Sequence, residues 1–214
     1  MLSDLLMSGR EHEAEREGDG MVRGVAVAVV TDNRDPEGLA RVRVRLPWLA
    51  ESETSFWARI AVPMAGNEIG TYFLPEIGDE VLVAFEREDI SHPYVIGGLW
   101  SGQRPPPEVN DGQNDRRLIR SRAKHELRFD DGASPTVEVK LSDGKHLVIN
   151  DQGLTLEDTA GNKVEISSGA GGITLESKTS LTLRSQTISL DAGASMEIRA
   201  SGTLTINGAL VRIN

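Results

Sequence analysis

Cysteine is absent from this 214-residue chain. Without thiols there is no disulfide framework and no thiolate nucleophile or metal ligand, a composition that fits synthesis in a reducing cytoplasm. Long apolar runs are missing as well. None approaches the roughly 20 residues that span a bilayer. The opening MLSDLLM is broken by Asp4 and followed by charge, so it is not expected to act as a secretory signal. Basic residues are in deficit, 23 Lys and Arg against 33 Asp and Glu. The resulting net charge of −10 argues against nucleic acid as a partner, because a phosphate-binding face needs clustered cations. Only four histidines occur, His12, His92, His125 and His146, and they form no H-x-H or H-x3-H pair. No metal site or cofactor is expected from one chain. Nucleophile motifs of the G-x-S-x-G type are lacking too. Aromatic residues make up 4% of the chain and stop at Phe129.

What the chain does have is a repeat. From Gly161 to Asn214, pairs of aliphatic residues separated by one position recur. They are Val164 with Ile166, Ile173 with Leu175, Leu181 with Leu183, Ile188 with Leu190, Met196 with Ile198, Leu204 with Ile206, and Val211 with Ile213. Each pair is a strand core, since alternate side chains of a strand point to opposite faces. The steps between pairs are 9, 8, 7, 8, 8 and 7 residues, too short for helical repeats, and Ser, Thr, Gly, Asn and Asp fill the corners. The pattern predicts a β-helix or β-solenoid. Two buried aliphatics per octad cannot offset the ordering of eight residues unless the backbone is paired and the apolar face covered. Three identical chains around one axis supply both, with these fourteen side chains inside. A β-sandwich is the competing reading, and it calls for irregular loops and more aromatics than this tail holds.

Upstream, residues 21–102 carry four or five strands closed by turns. LARVRVRLPWL alternates Val42, Val44 and Leu46 with Arg41, Arg43 and Arg45, one dry face and one basic face. All three tryptophans, Trp48, Trp57 and Trp100, fall in this stretch and are expected in the barrel core or a subunit contact. A five-stranded Greek-key barrel of this size is the oligonucleotide/oligosaccharide-binding (OB) architecture. Residues 1–20 read as a tail, either a short helix or disordered. Residues 103–125, with Pro105, Pro106 and Pro107, read as a stiff linker. Residues 126–214 then form the spike domain, with a wider upper part before the octads. Glu76, Asp79 and Glu80 cluster in one turn. Paired carboxylates could serve glycoside hydrolysis, but a turn whose acids hold backbone amides is the simpler reading.

The runs GLARVRVRLPWL, FWAR, PMAG, PEIGDEVLVAFERED and HPYVIGGLW resemble the OB domain of phage baseplate assembly protein V and of the valine-glycine repeat (VgrG) spikes of type VI secretion. The positions that carry the resemblance are Arg43, Pro47, Trp48, Trp57, Pro75, Gly78, Asp79, Glu80, Val81, Pro93 and Gly97. Glu88 departs from the pattern, standing where glycine is usual. The octad tail is similar to the same family's triple-stranded β-helix. The resemblance therefore implies an all-β protein, an N-terminal OB-fold barrel followed by a C-terminal triple-stranded, intertwined trimeric β-helix needle. It implies a non-enzymatic cell-puncturing spike at a baseplate, assembled in the cytoplasm and then carried in a phage virion or injection particle. A separately encoded hub protein would seat the OB domain, and the needle would make transient contact with a target envelope. Some relatives insert a lysozyme domain, for which the linker here is too short. Others close their apex with H-x-H motifs, which GALVRIN lacks. Val211, Arg212, Ile213 and Asn214 would then meet a tip protein of the PAAR-repeat type. A polysaccharide-binding OB module on a β-helical stalk is the alternative function, and an enzyme using the acid cluster is a third. Phage tail, secretion system and extracellular injection particle remain open as settings.

Overall fold

In a computed structural model, residues 21–49 and 55–213 are described. The regular structure among them is β, apart from one short 3-10 turn at Glu86–Glu88. The chain divides between Gly112 and Gln113 into two units, each described by itself. The expected tail over 1–20 and the expected tip residue Asn214 lie outside the described residues.

The first unit contains β1 (Val25–Asp32), β2 (Arg43–Arg45), β3 (Arg59–Ile60), β4 (Ala65–Gly66), β5 (Ile69–Gly70), β6 (Glu80–Phe85) and β7 (Pro93–Leu99). Five of these make a sheet in the order β2-β1-β6-β7-β3, and β4 pairs with β5 as a separate hairpin. Only β3 and β7 run parallel. The sheet curls until its ends meet: Val42 N donates to Ala58 O at 3.0 Å and Ala58 N to Val42 O at 2.7 Å. This is the partly closed five-stranded barrel of the OB architecture.

Period-two alternation decides what lies inside. Ala26, Ala28 and Val30 of β1, Val42, Val44 and Leu46 around β2, and Val81, Val83 and Phe85 of β6 are buried, together with Ala58 and Val95. Small residues suit a barrel this narrow, whose interior has room only for side chains that interdigitate. The expectation of tryptophan in the core is corrected. Trp48 and Trp100 are exposed and Trp57 lies half-buried on the outer wall, because an indole would not fit among these alanines and valines. Opposite β6, β7 carries one extra residue: Leu82 faces Gly97 but Val83 faces Val95, so Ile96 forms a bulge.

The second unit is an antiparallel meander of seven strands with neighbours in sequence order. They are β8 (Arg116–Arg120), β9 (Glu126–Asp130), β10 (Thr136–Lys140), β11 (His146–Asn150), β12 (Gly153–Glu157), β13 (Lys163–Ser167) and β14 (Gly172–Glu176). Asx turns set the corners: the side chains of Asp130, Asn150 and Asp158 accept hydrogen bonds from the backbone amides of Gly132, Gln152 and Ala160. Gly153 has φ +135, and a Cβ there would lie 1.8 Å from the Ile166 carbonyl oxygen, so the corner requires glycine.

Two boundaries differ from the expectation. β8 falls inside the segment read as a linker, because its polar RRLIR shows too little alternation to register as a strand until β9 pairs with it. The pairs Val164 with Ile166 and Ile173 with Leu175, read as octads, belong to β13 and β14 of the meander. There Val164 is half-buried, while Ile166, Ile173 and Leu175 are exposed.

The octads beyond them, expected inside a three-chain assembly, have no cover within the single chain. From Ser177 to Ile213 no strand is assigned, and every described residue is exposed. Leu181, Leu183, Ile188, Leu190, Met196, Ile198, Leu204, Ile206, Val211 and Ile213 are thus surface residues of the single chain, not members of a core within it. The physical reason is the one that limits any isolated octad. One chain offers neither a ladder partner for its backbone nor a second wall for its apolar side, so burial of Leu190, Ile198 or Ile206 cannot be intramolecular.

Candidate functional site

The seven strands of the second unit are in register over all five residues, so side chains line up in rows across the sheet. One row runs Phe129, Val137, Ile149, Leu154, Ile166, Ile173, and the next runs Ile119, Leu127, Val139, Leu147, Leu156, Val164, Leu175. These two rows occupy alternate positions and thus the same face. Apart from Arg117 at the start of the first row, that face is continuous aliphatic and aromatic surface. No part of the second unit covers it, and most of its members are exposed. Between the rows the opposite face carries Leu118, Arg128, Glu138, Val148, Thr155, Glu165 and Thr174.

The rim beside the second apolar row reads Arg120, Glu126, Lys140, His146, Glu157, Lys163, Glu176, with charge alternating along most of its length. Opposite charges on facing strands reinforce the register that exposes the apolar face. Glu126 is well shielded, ion-paired to Arg120 and, at 3.3 Å, to Arg128. Burial works against its carboxylate, but the two arginines outweigh it and hold its pKa below the ordinary value.

On the barrel, Arg43 lies 4.9 Å from the Trp57 ring centroid and Arg41 5.9 Å, so the basic face of β2 is stacked against an indole. Arg41 also holds Asp35 through two hydrogen bonds of 2.8 Å, and Asp35 accepts from the amides of Glu37 and Leu39. The Arg41 guanidinium keeps the Asp35 carboxyl well below the usual carboxylate range. Within the acid cluster Asp79 has a structural role. Asp79 accepts from the Glu76 amide at 2.9 Å and from Arg104 at 2.6 Å, while Glu80 sits half-buried on β6. Gly78, at φ +89, lets Arg104 pass, since a Cβ would lie 2.3 Å from its Nη2. Pro93 is buried opposite Phe85, Val81 is fully buried, and Gly97 borders the bulge. Pro47 and Trp48 stand in the turn after β2, where the Leu49 amide bonds the Leu46 carbonyl at 3.2 Å, and Pro75 accepts from Asn33 at 3.0 Å.

Sequence reasoning missed a groove of about 1080 Å³ between the Gly38–Arg41 loop, β3 and the β4–β5 hairpin. Its walls include Phe56, Met64, Ile69, Tyr72 and Phe73, all exposed. The available signal was the apolar run through residues 60–74, which shows neither strand nor helix periodicity. Among the described residues, no cluster of three or more His, Asp or Glu could hold a metal.

The partly closed β2-β1-β6-β7-β3 barrel agrees with the comparison to known families. The model of the type VI secretion system/phage-baseplate injector OB domain matches residues 26–100. Downstream of the matched residues the chain continues into the meander. Similar curated proteins include the type VI secretion system spike protein VgrG3 of Vibrio cholerae, 26% identical over 52% of this chain and 12% of its own length. The spike protein VgrG4b of Pseudomonas aeruginosa is 32% identical over 51% of the chain and 15% of its length. The actin cross-linking toxin VgrG1 of V. cholerae is 28% identical over 60% of the chain and 13% of its length. The chain thus spans less than a sixth of the length of each of these relatives. The departure at Glu88 has a geometric reading: Arg87 and Glu88 have φ of +53 and +68, the left-handed region where glycine is unstrained.

Proposed function

We propose that three copies of this chain form the central spike of a contractile injection machine, with the OB barrel seated on a hub and the C-terminal part forming a needle. The observation that carries this reading is the uncovered apolar face of the second unit, two full rows deep, followed by a tail of exposed aliphatic pairs. A soluble monomer rarely exposes so large a contiguous apolar surface. Three sheets packed face to face about an axis would cover it, and the octads from Leu181 to Ile213 would continue the same burial as an intertwined β-helix. The side chains exposed in one chain, Leu190, Ile198 and Ile206 among them, would then be enclosed by the other two. Val211, Arg212, Ile213 and Asn214 would present the last strands to a PAAR-type tip protein.

The role is mechanical. Arg104 and the Glu76 amide occupy the Asp79 carboxylate, and sheath contraction would drive the needle through an envelope. The relatives named as spike proteins support this assignment. Sedimentation of the full chain tests it directly. A mass of three times 23.2 kDa at every accessible concentration is expected. A folded monomer with intact β signal overturns the spike.

A further inference from the structure

The groove beside β3 is a concave apolar surface that no described residue fills. Tyr72 is 73% exposed there and Phe73 66%, with Met64 and Ile69 exposed beside them. Its charge is lopsided: Glu68 is the one carboxylate in the lining, against Arg41 and Arg59. Asp35 and Glu37 already take Arg41. Arg59 lies 5.7 Å from the Tyr94 ring centroid and has no carboxylate partner among the described residues. The hollow therefore suits an occupant that brings apolar side chains together with negative charge.

The course of the chain indicates where such an occupant comes from. Met21 bridges Asp89, and the Val22 amide donates to the Glu88 carbonyl at 2.6 Å. Asp89 in turn accepts from the Ser91 amide at 2.8 Å and contacts His92 Nδ1 at 3.0 Å. Ser91 and His92 line the groove. Residues 1–20, which lie outside the described residues, thus join the barrel at the rim of the groove. Their sequence carries the matching chemistry. Met1, Leu2, Leu5, Leu6 and Met7 supply five large apolar side chains within seven residues, with Asp4 among them. The whole segment holds six carboxylates against two arginines. Thirteen residues separate Met7 from Met21 and can span up to about 45 Å. A tether of that length gives an effective concentration on the order of millimolar, so an intrinsic Kd of about 0.1 mM fills about ten grooves for each one left empty. The other exposed apolar surface of the barrel, at Val25 and Val27 of β1, is bordered by Glu80, a like charge that disfavours an acidic segment.

We propose that residues 1–7 dock into the groove of their own chain, with Leu2, Leu5 and Leu6 against Tyr72 and Phe73 and with Asp4 facing Arg59. The contact is intramolecular, so it holds for one chain or three. A single-chain mass in sedimentation would remove the spike and leave this contact standing.

Native cysteine is absent, so a short bismaleimide reads the contact in the full chain. Ser3→Cys with Ile69→Cys should give an intrachain link, seen as one chain on a denaturing gel and a joined peptide by mass spectrometry. Ser3→Cys with Val27→Cys, on the β1 wall, is the control for an undirected tail and should link several-fold less. Arg59→Glu should lower the groove link several-fold, and Asp4→Arg in the same chain should restore it. Circular dichroism checks that each variant is folded. Peroxide oxidation of the native chain needs no substitution in the groove. Met64 is 53% exposed and Met21 43%, so an empty groove predicts similar rates for the two. Docking predicts that Met64 oxidises several-fold more slowly than Met21, and Leu5→Asp with Leu6→Asp should bring the rates together. Absence of the groove link in folded chains, equal linking to both positions, or links that join separate chains each overturn the proposal. So does equal oxidation of Met64 and Met21 in the native chain.

Discussion

Leu156→Ala tests the buried face most sharply. Leu156 lies in the centre of its row between Leu147 and Val164 and is 50% exposed in the isolated chain. Full burial of a leucine contributes about 1.5–3 kcal/mol. About half of that has already been gained within the sheet, so partner chains add about 1 kcal/mol per chain by the same measure, and about 3 kcal/mol per three-chain assembly. The cavity left at the axis raises the loss toward the about 2–5 kcal/mol typical of leucine-to-alanine changes at a well-packed site. If the face instead meets water, the change is an ordinary surface substitution worth about 0.5 kcal/mol or less. Thr155→Ala, one residue away on the opposite face between Val148 and Glu165, is the control. Guanidinium unfolding followed by circular dichroism, at one fixed chain concentration because assembly and stability are linked, reads both. A lowered midpoint for Leu156→Ala alone is expected. Indistinguishable curves for the two variants would refute an axial face.

In the tail, Leu183→Asp should abolish or fray the assembly by grouping three carboxylates in a dry core, while Arg184→Asp is tolerated; sedimentation compares them. Gly78→Ala should lower the thermal midpoint by displacing Arg104 from Asp79 and forcing alanine to φ +89, a loss of about 1–3 kcal/mol. Asp35 has a folded pKa below its unfolded value of about 3.9, so its contribution is complete above that value and drains as pH falls toward the folded one. Asp35→Asn should therefore destabilise at neutral pH, and thermal melts should show the gap to the native chain closing on acidification.

Much of this protein could be read from local pattern. Alternation alone placed Val42, Val44 and Leu46 on the dry side of β2, and the all-β class followed from strand cores punctuated by turn residues. Those features depend on which way successive side chains point, which one strand determines by itself. The Asx turns of the meander are equally local, since an Asp or Asn side chain bonds an amide two residues on.

Tertiary structure alone decided three things. β8 became a strand only through its ladder with β9, because RRLIR carries little hydrophobic alternation of its own. Tryptophan was excluded from the barrel core by the bore that five strands enclose, which depends on closure through Val42 and Ala58 rather than on any single segment. The groove arises where the Gly38–Arg41 loop, β3 and the β4–β5 hairpin converge. Residues distant in sequence share that surface only after the sheet has curled. The octads mark the same boundary from the other side: spacing pairs Ile188 with Leu190 and Met196 with Ile198, yet one folded chain leaves all four exposed. Sequence periodicity reports the direction of a side chain, whereas what stands opposite it is a property of the folded and assembled chain.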